Sequence, residues 1–218
     1  MSLRMRYQTI EFGDIDIHLR TLRDEQQYPE QQLDAQALGV STALWSVFGV
    51  IWPSSIVLAN YMLTFDMNNK RILEVGCGIG LASHLLNYLH ADITATDIHP
   101  SAEEFLLANT ALNDGELIPF ERMDWKNTSE QLGKFDVIIG SDLLYEEDHV
   151  KSLPDFIDTH TTEACEVIIV DPCRGLQNKF TKKMIGLGFD VHEDESQSLD
   201  ESKPAFEGKI IRFSRKLN

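Results

Sequence analysis

A chain of 218 residues and 24.8 kDa can bury a full core, and its 43% apolar share fits one globular α/β unit with an appendage. The formal net charge of −16 argues against a nucleic-acid partner, because phosphate binding draws on a basic footprint. No apolar run approaches the roughly 18 residues of a membrane span and no secretory leader pattern is present, while Cys77, Cys165 and Cys173 lack metal-ligand spacing and suit a reduced, cytoplasmic protein.

Residues 7–12 and 15–19 alternate with period two around Gly13-Asp14, which predicts a β-hairpin. The segment 23–36 is polar and reads as loop or weak helix. Trp52-Pro53-Ser54-Ser55 opens a helix with Pro in its first turn, running through Leu58 and Met62 to about residue 65.

A strand at 70–75 then ends in Glu74-Val75 and breaks into Gly76-Cys77-Gly78-Ile79-Gly80, with a helical pattern over about 80–90. Strand, glycine turn and helix N-terminus together bring bare backbone against a nucleotide-like ligand. A dinucleotide fold wants G-x-G-x-x-G, but here the sixth position is Leu81. Glu74 would repel a pyrophosphate and instead suits a cationic group, such as an amino acid's ammonium. The next strand, 93–97, ends in Asp97, the position that bonds ribose hydroxyls in doubly wound sheets. An ammonium partner before the loop and a ribose partner after it imply S-adenosylmethionine. Cys77 within the turn and Ile98 after Asp97 join these residues as candidate cofactor contacts.

Further on, a helix is predicted over 101–112, a short strand near 117–121, a strand at 135–141, a helix from Glu147, a strand at 166–171 and a helix over about 177–187. Segments 189–192 and 209–213 read as strands joined by an acidic connection too short for a crossover helix, so they should pair antiparallel. The fold class is α/β: a Rossmann-like seven-strand sheet with an antiparallel C-terminal hairpin and a small N-terminal β-hairpin extension. The chain divides into a hairpin and connecting segment, 1–45, and a Rossmann-like domain, 46–218.

Asp124-Trp125 follows the third core strand on the crevice side of the sheet. Trp125 offers a flat apolar wall for an adenine, and Asp124 can accept its exocyclic amine. Both Trp52 and Trp125 also suit core packing. Ser141-Asp142-Leu143-Leu144-Tyr145 follows the fourth strand without the Asn-Pro-Pro-Tyr or Asp-Pro-Pro-Tyr of DNA and glutamine amino-methyltransferases. Asp142 would alternatively cap a helix. Arg174, after the fifth strand, can bind a substrate carboxylate or pair with an acid such as Asp142, and a structural ion pair is the simpler role. His84, His99 and His149 show no metal or triad spacing, and neither a metal nor a role for them is expected.

Trp52-Pro53 opening a helix, Asp124-Trp125 and the Asp-x-x-Tyr of Asp142 and Tyr145 occur together in one group, and over about 49–171 the chain resembles it. This is the family 16 protein methyltransferases, seven-strand enzymes that modify lysine or histidine side chains. The resemblance implies that Trp52, Gly76, Gly78, Asp97, Trp125 and Ser141 surround S-adenosylmethionine, and that Asp142 and Tyr145 face the target nitrogen. It implies an N-methyltransferase acting on a protein side chain, lysine first. A small-molecule N-methyltransferase or a non-catalytic S-adenosylmethionine-binding protein would carry the same motifs. Acidic clusters such as Glu146-Glu147-Asp148 favour a basic protein or a small amine as partner over nucleic acid or membrane. Nothing in the pattern specifies an oligomeric state.

Overall fold

A computed structural model of the protein describes residues 3–24, 45, 47–127, 131–195 and 206–216. Most of the polar segment 23–36, the border between the two expected units and the connection 196–205 lie outside these residues. Strands β1 (Met5–Phe12) and β2 (Ile15–Leu22) form the N-terminal hairpin. Helix α1 (Pro53–Leu63) follows Trp52, its first-turn Pro giving up an N–H that would have no helical partner.

From there strands and helices alternate: β3 (Arg71–Val75), α2 (Leu81–Tyr88), β4 (Asp92–Asp97), α3 (Ala102–Leu112), β5 (Phe120–Arg122), β6 (Phe135–Ser141), α4 (Glu147–His160), β7 (Thr161–Asp171) and α5 (Gln177–Gly186). Strands β8 (Asp190–Glu195) and β9 (Lys209–Arg215) close the sheet. Its order is β5-β4-β3-β6-β7-β9-β8, parallel from β5 to β7 and antiparallel where β9 meets β7 and β8. The expected antiparallel closure is observed.

The central strands are buried on both faces, as a parallel sheet covered by helices requires. Ile72, Val137, Ile139, Ile168 and Val170 point to one core, and Leu73, Val75, Ile138, Val167 and Ile169 to the other. The first core is closed by α1, α2, α3 and the inner side of the hairpin through Phe12, Ile17, Leu19 and Leu22; the second is closed by α4 and α5. Each fully buried aliphatic side chain stabilises by about 1.5–3 kcal/mol, so the two-sided strands fix the sheet order before any polar contact matters.

Two asparagines on α3 secure the hairpin. Asn113 Oδ1 accepts the His18 N–H at 2.8 Å, Asn113 Nδ2 donates to the His18 carbonyl at 2.8 Å, and Asn109 Oδ1 accepts the Arg20 N–H at 2.7 Å. The edge of β2 is thereby covered rather than left to template another strand.

Two boundaries differ from expectation. β7 starts at Thr161, not 166, because α4 runs straight into it and Arg215 holds the junction through Asp158 at 2.6 Å and Thr161 at 2.9 Å. β5 begins at Phe120, and Leu117 is 71% exposed; the Pro119 carbonyl accepts the Ala95 N–H at 2.9 Å just ahead of the paired strand.

Candidate active site

The chain runs from β3 through β4 to β5 on one side, then returns to β6 and β7 on the other. Strand order therefore reverses between β3 and β6, and the crevice beyond their carboxyl ends is where such sheets bind ligands. A cavity of about 620 Å³ opens there. Gly76 and Gly78 come from the exit of β3, Asp97 and Ile98 from β4, Asp124 and Trp125 from β5, Ser141, Asp142 and Tyr145 from β6, and Arg174 from β7. Trp52 lines it from the start of α1.

The glycine turn is fixed by backbone bonds. The Cys77 N–H donates to the Thr96 carbonyl at 2.9 Å, and the Gly78 N–H donates to Asp97 Oδ2 at 2.8 Å. Asp97 Oδ1 accepts the His99 N–H at 2.8 Å. Burial raises the Asp97 carboxyl above its ordinary value, against the lowering pull of the N–H groups of His99, Gly78 and Ile98. With φ of +62° and +57°, Gly76 and Gly78 hold a left-handed backbone that favours glycine. A Cβ on Gly76 would meet Leu143 Cδ2 at 2.6 Å, whereas one on Gly78 would meet nothing within 4 Å. Gly76 is thus needed for protein packing, and Gly78 leaves room for a ligand.

Glu74 and Cys77 depart from the expected set, since neither lines the cavity. Glu74 is 2% exposed and turns beneath the loop, where Oε2 accepts the Ser83 N–H at 2.9 Å and the Ser83 hydroxyl. Ser83 is the third residue of α2, and the residue ahead of that helix, Gly80, carries no side chain to cap it. The strand carboxylate supplies the missing cap. Burial pushes Glu74 up to about 7 despite the two Ser83 donors. Cys77 is 8% exposed, and burial and the Asp97 and Glu74 carboxylates push its thiol up, which leaves it a poor nucleophile.

An aromatic wall occupies the β5 and β6 side. His149 sits edge-on to both Trp125, at 5.0 Å between ring centroids, and Tyr145, at 4.9 Å. Its Nδ1 lies 2.8 Å from the Leu143 carbonyl, an acceptor, so the proton is assigned to Nδ1. The Trp52 indole N–H donates to the Val47 carbonyl at 3.3 Å, and Trp52 remains a cavity-lining ring. Phe48 stacks on His99 at 3.8 Å between centroids.

On the β6 exit Asp142 has φ +55°, and its N–H donates to the Val170 carbonyl at 2.9 Å. It does not cap α4, whose N-cap position is taken by Glu146. Arg174 grips both oxygens of Asp142, Nη1 to Oδ1 at 2.6 Å and Nη2 to Oδ2 at 3.1 Å, in the expected ion pair. Burial raises Asp142 while Arg174 lowers it. Burial and the Asp97, Glu146 and Asp142 carboxylates raise the Tyr145 phenol far above its ordinary value, so it keeps its proton and cannot serve as a base. At the rim, Asp148 pairs with Lys151 at 2.9 Å and Lys126 at 3.4 Å, both exposed.

Sequence reasoning missed Phe48, His99, Met123 and His149 as lining residues. His149 is the third residue of α4 while Tyr145 precedes that helix, so no helical spacing signals their ring contact. Phe48 carried no periodic signal. The residues present fit S-adenosylmethionine: an acceptor carboxylate at Asp97, a Gly78 that leaves space, and a flat ring at Trp125.

Known proteins are similar in both sequence and fold. A family model described as lysine methyltransferase matches residues 32–185. Protein N-lysine methyltransferase METTL21A of Danio rerio is 29% identical over 136 residues, covering 59% of this chain and 61% of the relative. The electron transfer flavoprotein beta subunit lysine methyltransferase of Mus musculus is 31% identical over 138 residues, covering 62% and 52%. The histidine protein methyltransferase 1 homolog of Dictyostelium discoideum is 31% identical over 117 residues, covering 50% and 38%. The chain thus spans about half to three fifths of the length of the two lysine methyltransferases. Among solved structures, the Thermus thermophilus 16S rRNA methyltransferase RsmC, in complex with AdoMet and guanosine, gives a TM-score of 0.64 at 12% identity, covering 99% of this chain and 52% of that one. A TehB-like methyltransferase from Corynebacterium glutamicum gives 0.58 at 16%, covering 87% and 96%. At such identities these two establish the fold alone.

Proposed function

The chain belongs to the lysine methyltransferase family, and on that premise we propose that it transfers a methyl group from S-adenosylmethionine to a side-chain nitrogen of a protein, lysine first. The observation that carries this reading is that Asp97 and Trp125, suited to the nucleoside, share one cavity with Asp142 and Tyr145, suited to an amine. S-adenosylmethionine would supply an electrophilic methyl on a sulfonium.

The chain's own residues then have three tasks. Asp97 and Trp125 fix the nucleoside, and Gly78 leaves it space. Asp142, paired with Arg174, draws in the acceptor's ammonium, and the Tyr145 phenol oxygen accepts a hydrogen bond from it or the ring packs beside it. Deprotonating a lysine of ordinary pKa at pH 7 costs about 4–5 kcal/mol. The apolar lining of Phe48, Met123, Trp125 and Leu143 lowers that cost by penalising the charged amine. No strong base is needed if the proton leaves to water before attack. What remains is alignment and water exclusion, which a walled cavity provides.

A basic protein as acceptor is supported by the net charge of −16. A cytoplasmic site of action is supported by three free cysteines. Among the described residues no helix is long and apolar enough to cross a membrane. The test is incubation with methyl-labelled S-adenosylmethionine and a cell lysate resolved by size. Label on a protein band is expected. Label confined to the small-molecule fraction would replace the protein acceptor with a small amine, and binding without any transfer would remove the catalytic role.

A further inference from the structure

The turn after β7 is built to send one side chain back over β6. Cys173 and Gly175, on either side of Arg174, have φ of +62° and +100°. The Cys173 N–H donates to Asp171 Oδ1 at 2.7 Å, and the Gly175 N–H donates to Gln177 Oε1 at 3.0 Å. A left-handed backbone at a non-glycine residue is uncommon and needs support from its surroundings. Here it recurs at Cys173 and at Asp142, on either side of the Asp142–Arg174 contact. The result is a two-point grip at 2.6 and 3.1 Å, in which the Asp142 side chain is 10% exposed and that of Arg174 is 46% exposed.

Whatever the pair adds to folding is reduced by water around the half-exposed guanidinium. As a way to aim a carboxylate it is effective, because the planar fork fixes both oxygens at once. A carboxylate has about four lone-pair sites, so Arg174 leaves Asp142 able to accept further donors. Both residues line the cavity.

We propose that Arg174 is a positioning residue for the methyl transfer: it pins Asp142 beside the acceptor subsite, leaving its remaining lone pairs to the incoming ammonium. The inference rests on the methyl-transfer reading given above. The groups that face Asp142 decide its ionisation. Arg174 favours the charged form. Asp171, at the end of β7 and 1% exposed, is a second carboxylate close enough that Asp142 raises it. Tyr145, with Glu146 and Asp97 acting on it, adds no positive charge. Arg174 is thus the cation that offsets part of the effect of burial, which still leaves Asp142 above its ordinary value.

The experiment compares wild type, Arg174→Ala and Arg174→Lys in three readouts: labelled transfer to lysate protein against pH, cofactor affinity by calorimetry, and the Asp142 carboxyl titration by carbon-13 NMR, assigned with Asp142→Asn. For Arg174→Ala, transfer is expected to fall at least about tenfold while the cofactor Kd moves less than about twofold. The acid limb of the transfer profile should shift to higher pH, in step with the Asp142 titration. Arg174→Lys should return the limb toward its original position but recover only part of the rate, since a point charge cannot hold both oxygens. A limb that does not move, or a cofactor Kd that worsens as much as the rate, overturns the proposal. If wild type itself transfers no label, the functional reading fails separately; an Asp142 titration identical in wild type and Arg174→Ala would then overturn the hold of Arg174 on its own terms.

Discussion

The two halves of the cavity are built differently. On the β3 and β4 side, carboxylates hold the loop itself: Asp97 accepts the N–H groups of Gly78 and His99, and beneath the cavity floor Glu74 accepts the N–H and hydroxyl of Ser83. On the β6 and β7 side, the cavity-lining carboxylates Asp142 and Asp148 meet other side chains, Asp142 with Arg174 and Asp148 with Lys126 and Lys151. Backbone partners cannot leave without refolding a loop, while side-chain partners can exchange. The first half is a preset mould for a fixed ligand, and the second suits an acceptor that comes and goes.

If this contrast holds, substitutions in the mould should change stability and cofactor affinity, and those at the rim should change little but turnover. The largest effect is expected at Glu74. Its folded value of about 7 lies above the ordinary 4.5, so the native state holds the extra proton between these values and wild-type stability falls as pH rises from about 4.5 to 7. The shift corresponds to on the order of 3 kcal/mol. Burial depresses His84 to about 4, which gives the opposite slope, so the comparison with Glu74→Gln isolates the glutamate. Relative to wild type, Glu74→Gln should be more stable at pH 8 than at pH 5 in urea titrations; an equal difference at both pH values would contradict the assignment.

Next in size, Asp97→Ala should weaken S-adenosylmethionine binding by about 1–3 kcal/mol, measured by calorimetry, and an unchanged Kd would take Asp97 out of the site. The glycine pair sharpens the contrast within one loop. Gly76→Ala should lose about 2 kcal/mol of stability from its positive φ and the Leu143 clash, and Gly78→Ala about 1 kcal/mol from φ alone. Only Gly78→Ala should impair cofactor binding out of proportion to that loss. The smallest effect belongs to the rim: Lys126→Ala, which breaks an exposed pair, should leave the urea midpoint in place.

Much of the mould was legible because topology does the work. Once strand, glycine turn and helix are read at 70–90, the next strand must end at Asp97, and each later strand must deliver its exit residues to the same crevice. That logic reaches Trp125 without any knowledge of side-chain contacts, whereas Ser141, Asp142 and Tyr145 took their expected places from the family resemblance. It fails where two directions share one pattern. An acid before the glycine turn can face a ligand or the next helix, and the choice fell to Ser83 at the third helical position together with an uncapped Gly80. His149 was expected to have no role, because its place depends on ring contacts with Trp125 and Tyr145 from two other segments. The early start of β7 was hidden by the polar Thr162 and Glu163, whose strand is held by Arg215 and by pairing of Thr161 with Phe135.

The most direct test is a calorimetric titration of the protein with S-adenosylmethionine and, separately, with a nicotinamide dinucleotide, repeated on Trp125→Ala. One-to-one binding of S-adenosylmethionine that weakens in the variant, with no heat from the dinucleotide, is the expected result. Binding of the dinucleotide with none of S-adenosylmethionine would contradict the reading of the glycine turn and everything built on it.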